Sequence, residues 1–206
     1  FMLRTDSDKK LDQFKKYSSI PIINGLSPSS HPTQVLSDIF TIQEIKKKSI
    51  SKLKLCWIGD ANNNMMNSLV EACIKFSVYL NIACPKSYQP NKKLISLIKK
   101  QKGKIKIFNK KEIAIKNSDV VMTDKIISLN DKVNKKKKLK SFKNFKVDTK
   151  TMNLAKKDAI FLHCLPRGNE VTEEVFLGKQ SKVWQQALNR VYVQKSILLY
   201  CFGKLR

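Results

Sequence analysis

Two periods of apolar residues alternate along this chain, and a set of elements follows from them. Residues 1–5 read as the end of a strand, Leu11, Phe14 and Tyr17 recur at helical spacing over 8–17, and Pro21-Ile22-Ile23-Asn24 reads as a short buried strand. A turn rich in Ser and Pro leads into an amphipathic helix marked by Val35, Leu36, Ile39, Ile42 and Ile45. Pro32 stands in its first turn, where a missing N–H is not needed. Beyond a polar spacer at 46–52 the alternation becomes regular. Strands are expected at 53–58, 82–84, 105–108, 119–123 and 159–162, and helices at 64–80, 91–102 and 111–117. A long basic loop and helix precede the last strand, and a final helix covers 183–201. Strands and helices alternating at these lengths predict an α/β fold built on a doubly wound, mostly parallel sheet.

The 206 residues suit one large domain or a domain and a half, and a hydrophobic content of 42% suffices for a core. No apolar run is long enough to span a bilayer, so no membrane partner is expected. The start, Phe1-Met2-Leu3-Arg4-Thr5-Asp6, is too short and too polar for a secretory signal. It opens on Phe rather than Met, in what reads as mid-strand, as a fragment or processed product would. A net charge of +25 invites a nucleic-acid reading, but all except four of the 41 basic residues are lysine. They are scattered, with a single run at Lys135-Lys136-Lys137-Lys138, whereas a dedicated binder uses arginine forks and interleaved aromatics. A lysine-coated surface without a nucleic-acid partner is the expectation. Cysteines 56, 73, 84, 164 and 201 show no C-x-x-C pairing, which points to ordinary thiols in a reducing cytoplasm and to no metal site.

Ligands of an open parallel sheet bind beyond the carboxyl ends of its strands. Three such ends carry chemistry: Gly59-Asp60-Ala61-Asn62-Asn63-Asn64 after the first regular strand, Asp124 with Ser128 after the fourth, and His163-Cys164-Leu165-Pro166-Arg167 after the fifth. The first lacks G-x-G-x-x-G, and no acidic residue closes the next strand to hold a ribose, so no nicotinamide cofactor is expected. Asparagines at a helix start also serve as caps, yet three in a row exceed what one cap needs. Adjacent side chains on a strand point to opposite faces, so His163 and Cys164 are not read as a nucleophile pair. Cys164 and Asp124 instead face a bound amine from neighbouring strand ends, to orient it and accept its proton. His31-Pro32-Thr33-Gln34, at the mouth of the first long helix, suits either an electron-rich oxygen ligand or a plain proline-started cap, and both readings stand.

Taken in order, these motifs resemble the ornithine carbamoyltransferase family nearly end to end. Pro21 to Leu26 with His31-Pro32-Thr33-Gln34 resembles the segment leading into its interdomain helix. Trp57-Ile58-Gly59-Asp60 with Asn63-Asn64 resembles its ornithine loop, and Thr123-Asp124, Ser128, His163 to Arg167 and Asn189-Arg190 complete the set. The His-Cys-Leu-Pro run separates this family from aspartate carbamoyltransferases. The resemblance implies attack of ornithine's side-chain amine on carbamoyl phosphate, giving citrulline and phosphate, in arginine metabolism. Arg4, His31, Gln34 and Arg190 would hold carbamoyl phosphate, with Arg4 and His31 polarising its carbonyl. Asn64, Asp124, Ser128 and Leu129 would hold ornithine, and Cys164 and Leu165 would line the meeting point. His31, Asp124 and Cys164 are the implied catalytic groups, with no metal or organic cofactor.

It also implies a division into a remnant of the carbamoyl-phosphate domain (1–33), an interdomain helix (34–47), a Rossmann-like ornithine domain (48–182) and a terminal helix (183–206) packing back towards the first. Two departures stand out. The family's Ser-Met-Gly loop reads Ser128-Leu129-Asn130, which restricts the backbone where that loop must close. The family's phosphate loop, Ser-Thr-x-Thr-Arg, occurs nowhere in the 206 residues. The whole family protein is a homotrimer; for this portion a trimer, and turnover, are not expected. An amino-acid-binding remnant without catalysis and a carbamoyltransferase for another amine, such as putrescine, are the competing expectations.

Overall fold

A computed structural model of the chain describes residues 1–127 and 134–204. Strand β1 (Met2–Arg4) pairs in parallel with β2 (Ile23–Leu26), and helix α1 (Asp8–Tyr17) crosses between them. The strand expected at 21–24 begins two residues later, past Pro21, which has no N–H to give a ladder. Helix α1 is capped by the Ser7 side chain but buries none of its residues. Helix α2 (Pro32–Lys46) starts on the expected proline and stops at Lys47, whose φ of 49° is left-handed.

From there the chain alternates: β3 (Lys54–Ile58), α3 (Asn64–Lys75), β4 (Tyr79–Ala83), α4 (Lys92–Lys100), β5 (Ile105–Phe108), α5 (Lys111–Ala114) and β6 (Val120–Thr123). It continues through α6 (Lys135–Ser141), α7 (Thr149–Met152), β7 (Ile160–His163), α8 (Glu173–Leu177) and α9 (Val183–Cys201). The five later strands form one fully parallel sheet in the order β5-β4-β3-β6-β7. The chain builds outward from β3 to one edge, then returns to build the other side from β6. The gap between β3 and β6 is therefore the topological switch point, where such sheets open a crevice.

Strand alternation sorts the core into two layers. Leu55, Trp57, Val120, Met122, Ile160 and Leu162 pack against α2, α3 and α4. Cys56, Ile58, Val121 and Phe161 pack on the other face with residues of α5, α7 and α8. Helix α9 lies along α2 through polar contacts: Asn189 donates to Thr41 Oγ1 (3.0 Å) and to Glu44 Oε2 (2.8 Å). That cover turns α2 relative to the expected apolar stripe, leaving Leu36 39% exposed while Asp38 and Thr41 are fully buried.

The helix expected at 64–80 ends at Lys75. Ser77 takes a left-handed φ of 55°, and buried Val78 and Leu80 flanking exposed Tyr79 carry the period of a strand. The helix expected at 111–117 is a single turn, stopped before a left-handed Asn117 (φ 58°). Helix α8 follows a sequence stretch with no clear period. Among the described residues no helix is long and apolar enough to cross a membrane. Ser128, Leu129 and Asn130 lie outside the described residues.

Candidate functional site

The crevice begins where β3 ends. Gly59 has a φ of 150°, and a Cβ there would lie 3.2 Å from Thr123 Oγ1 at the end of β6, so a side chain would push the two strand ends apart. The next residue, Asp60, accepts from the Asn62 N–H through Oδ1 (2.9 Å) and pairs through Oδ2 with Lys138 Nζ (2.7 Å). Both partners are buried, so one lysine of the basic run is an internal ion-pair partner rather than surface coating. The asparagines divide their duties. Asn63 caps α3 by accepting from Met66 N, Asn62 is exposed, and Asn64 Nδ2 donates to the Ser27 carbonyl at 2.9 Å, joining this loop to the one after β2.

At the ends of β6 and β7 stand Asp124 and Cys164. Burial pushes the Asp124 carboxyl up, partly offset by the Lys125 N–H it accepts (2.7 Å) and by His163. Burial also pushes the Cys164 thiol well above its ordinary range, and the nearby Asp124 and Asp38 carboxylates push it further. It therefore stays protonated, unlike an activated nucleophile. Cys164 packs with the β3–α3 side, its Sγ 3.9 Å from Met65 Sδ. His163 points the other way, towards Phe161 and Phe176 (ring centroids 6.3 and 6.1 Å). Its Nε2 lies 2.8 Å from Glu170 Oε1 and its Nδ1 faces the Cys164 carbonyl. Burial alone would raise the Glu170 carboxyl, but the His163 ring and the Gly168 N–H hold it below the usual range. The Leu165–Pro166 peptide is cis.

The opposite wall comes from α2, α9 and the end of β1. The His31 main-chain N–H donates to Ser68 Oγ (2.8 Å), while its ring Nδ1 is buried with no hydrogen-bond partner among the described residues. Burial, reinforced by the positive charges of Arg190 and Arg4, lowers the ring to about 4, so the imidazole is neutral at ordinary pH. Below it, Gln34 Nε2 and Gln186 Nε2 both donate to Asp38 Oδ1 (2.9 and 2.7 Å). Burial pushes Asp38 up to about 6 against these two hydrogen bonds and the Arg190 charge. Arg190 Nε is also buried without a partner among the described residues.

A cavity of about 330 Å³ is lined by Gln34, Cys164, Leu165, Gln186 and Arg190, among others. Four residues read from the sequence thus share one space. His31 lies within reach of the Arg4 and Arg190 charges that oppose its protonation, the Asp124 charge acts on Cys164, and Asn64 adjoins the Met65 that touches Cys164. Ser128 and Leu129 lie outside the described residues. Sequence reasoning missed Asp38, Gln186 and Glu170. The one available signal was Asp38 itself, an acid four residues after Gln34 on a helix face otherwise expected to be apolar.

Known proteins share this sequence pattern and this fold. The sequence pattern described as "Aspartate/ornithine carbamoyltransferase, Asp/Orn binding domain" matches residues 51–201, and that of the carbamoyl-P binding domain matches residues 1–44. The ornithine carbamoyltransferase of Caldicellulosiruptor saccharolyticus is 43% identical over 99% of this chain and 68% of its own length; that of Staphylothermus marinus is 40% identical over 96% and 65%. Among solved structures, the anabolic ornithine carbamoyltransferase of Campylobacter jejuni superposes with a TM-score of 0.91 at 40% identity, over 98% of this chain and 69% of that one. The ornithine carbamoyltransferase of Pyrococcus furiosus gives 0.90 at 36%, over 100% and 67%. The chain thus spans about two thirds of the length of these relatives. With both domain patterns matched in order and the crevice at the switch point of the same fold, the chain belongs to the aspartate/ornithine carbamoyltransferase family.

Proposed function

We propose that this crevice transfers the carbamoyl group of carbamoyl phosphate to the side-chain amine of ornithine, giving citrulline and phosphate. The observation that carries the reading is His31: an imidazole kept neutral beside two guanidiniums, with an unpartnered ring nitrogen at the wall opposite a thiol and a carboxylate. A neutral imidazole N–H, with Arg4, polarises a carbonyl without placing a third full charge beside Arg4 and Arg190. The amine's lone pair forms the new C–N bond, the C–O bond to phosphate breaks, and the phosphate departs against Arg190, becoming the dianion by taking up the proton that the amine has given to Asp124. Gln34 helps to hold the carbamoyl group. Asp124 and Cys164 orient the amine, and Asp124 accepts its proton. Asn64 and Asp124 hold the α-amino acid end, with Ser128 and Leu129 beside them, and Leu165 lines the meeting point of the two substrates with Cys164. No metal or organic cofactor enters this chemistry.

The division proposed with it assigns 1–33 to the carbamoyl-phosphate domain, 34–47 to the interdomain helix, 48–182 to the ornithine domain and 183–206 to a helix packing back towards the first. The family's homotrimer belongs to the complete subunit, and the setting is arginine metabolism in the cytoplasm, consistent with five free cysteines. The phosphate-binding Ser-Thr-x-Thr-Arg run is not among these 206 residues. A polypeptide of these residues alone is therefore expected to bind ornithine by calorimetry, to bind putrescine more weakly, and to form negligible citrulline. Citrulline at near-normal rates from this polypeptide would overturn that expectation. Supplying an amino-terminal segment with the missing run should restore turnover. Ornithine binding with no turnover even then would favour an amino-acid-binding protein without catalysis, and equal use of putrescine would remove Asn64 and Asp124 from substrate selection.

A further inference from the structure

One turn below Gln34 on α2, Asp38 is fully buried, and its Oδ1 accepts both the Gln34 and the Gln186 amides. A carboxylate only accepts, so each amide is fixed with its nitrogen towards Asp38. For Gln186 this leaves Oε1 to accept the main-chain N–H of His163 at 2.9 Å. For Gln34, which lines the cavity, it leaves Oε1 to face the ligand space. The same pair of bonds fixes α9 against α2 one turn before Arg190, and the Thr41–Asn189 bond continues the ladder.

Joining two helices does not need an acid. A neutral amide or hydroxyl would serve without burying a charge. Asp38 also keeps Oδ2 buried with no hydrogen-bond partner among the described residues, an arrangement that costs stability. What only an acceptor-only group supplies is a single orientation of Gln34. We propose that Asp38 is a positioning residue for the carbamoyl donor: it turns Gln34 Oε1 into the cavity as an acceptor for the carbamoyl NH2 and, through Gln186, ties that acceptor to the strand end carrying Cys164. This rests on the carbamoyl-transfer reading given above.

Two stable phosphonates isolate the NH2: phosphonoacetamide carries it, and 2-oxopropylphosphonate has a methyl group in its place. Calorimetric titration of the chain, supplied with an amino-terminal segment carrying the missing phosphate-binding run, should show a preference for the amide of roughly tenfold, the equivalent of one neutral hydrogen bond. Asp38→Asn, whose side chain presents either oxygen or nitrogen, should cut the preference to about twofold or less while ornithine affinity is unchanged. Gln186→Leu leaves the Asp38–Gln34 bond in place and should keep the preference. An Asp38→Asn chain with the full preference, or a Gln186→Leu chain without it, overturns the inference. A wild-type chain that binds ornithine but does not discriminate between the phosphonates overturns this inference alone. One that binds neither ornithine nor a phosphonate overturns the carbamoyl-transfer reading as well.

Discussion

The two histidines stand on opposite sides of one strand-end crevice and are held in opposite ways. His163 is enclosed by acceptors, with the Glu170 carboxylate at one ring nitrogen and the Cys164 carbonyl at the other. His31 has an unpartnered ring nitrogen and two arginine charges, which together with burial keep it neutral. One imidazole has both ring nitrogens engaged, and the other keeps a buried ring nitrogen with no partner among the described residues. The motif containing His163 identifies the family well, yet it is the environment of His31 that suits a reacting oxygen. Surroundings, more than residue type, separate a structural group from a chemical one.

Removing Glu170 attacks the structural half of that contrast and should give the largest effect. Glu170→Ala leaves the buried His163 ring without its carboxylate, and urea unfolding should show a loss of about 3 kcal/mol. The double change His163→Leu with Glu170→Leu should cost less than Glu170→Ala, because it removes both polar partners and leaves neither stranded. A single variant as stable as wild type would show that the pair does not hold the β7 end.

His31→Asn attacks the other half, through pH. The His31 pKa falls from 6.5 to about 4 on folding, so as pH drops through that window the unfolded chain takes up the proton first and wild type loses up to about 3 kcal/mol. Asp38 acts with the opposite sign. Its pKa rises from 3.8 to about 6 on folding, so the folded chain takes up the proton first, and stability is gained as pH falls from 6 to 4. Wild type should therefore change less between pH 4 and 6 than either single variant. Relative to wild type, His31→Asn should become more stable on acidification and Asp38→Asn less stable. Urea midpoints at half-unit pH steps measure both, and parallel curves for His31→Asn and wild type would mean that His31 is not held neutral.

The sequence made the sheet legible because each strand is a short apolar run, and a parallel sheet sends every run's carboxyl end to one edge. It also placed His163 and Cys164 on opposite faces, since alternation along a strand is a local property. The end of α3 was not legible, because Ile74, Phe76, Val78 and Leu80 satisfy a buried helix and a strand alike. Asp38 stood out only as an acid on a face expected to be apolar, and its role was not legible because its partner Gln186 lies 148 residues away. Lys138 was indistinguishable from its neighbours in the run until Asp60 was seen beside it. Long-range polar pairing leaves no periodic trace, and here it decides how the crevice wall is built.

Gly59→Ala would sharpen the contrast by moving the strand ends without altering either histidine. A φ of 150° is strained for any residue with a Cβ, and the Thr123 contact at 3.2 Å adds to it. A loss of about 1–2 kcal/mol is expected from urea unfolding. Ornithine affinity should fall too, because Asn64 and Asp124 follow the two strand ends that separate.

The smallest effect on stability is expected from Cys164→Ser, and it bears most directly on the chemistry. The thiol stands on the wall opposite His31, and burial with two carboxylates keeps it protonated. It touches Met65 Sδ at 3.9 Å and forms no ion pair among the described residues, so a hydroxyl in its place should cost under about 1 kcal/mol. Thiolate is the species that alkylating reagents attack, so Cys164 in the folded chain should react with iodoacetamide at pH 8 more than tenfold slower than free cysteine. Peptide mapping after a timed reaction resolves it from Cys201. Rapid modification at Cys164 would mean that the carboxylates do not govern the thiol, and the wall opposite His31 would then hold a nucleophile rather than a group that positions an amine.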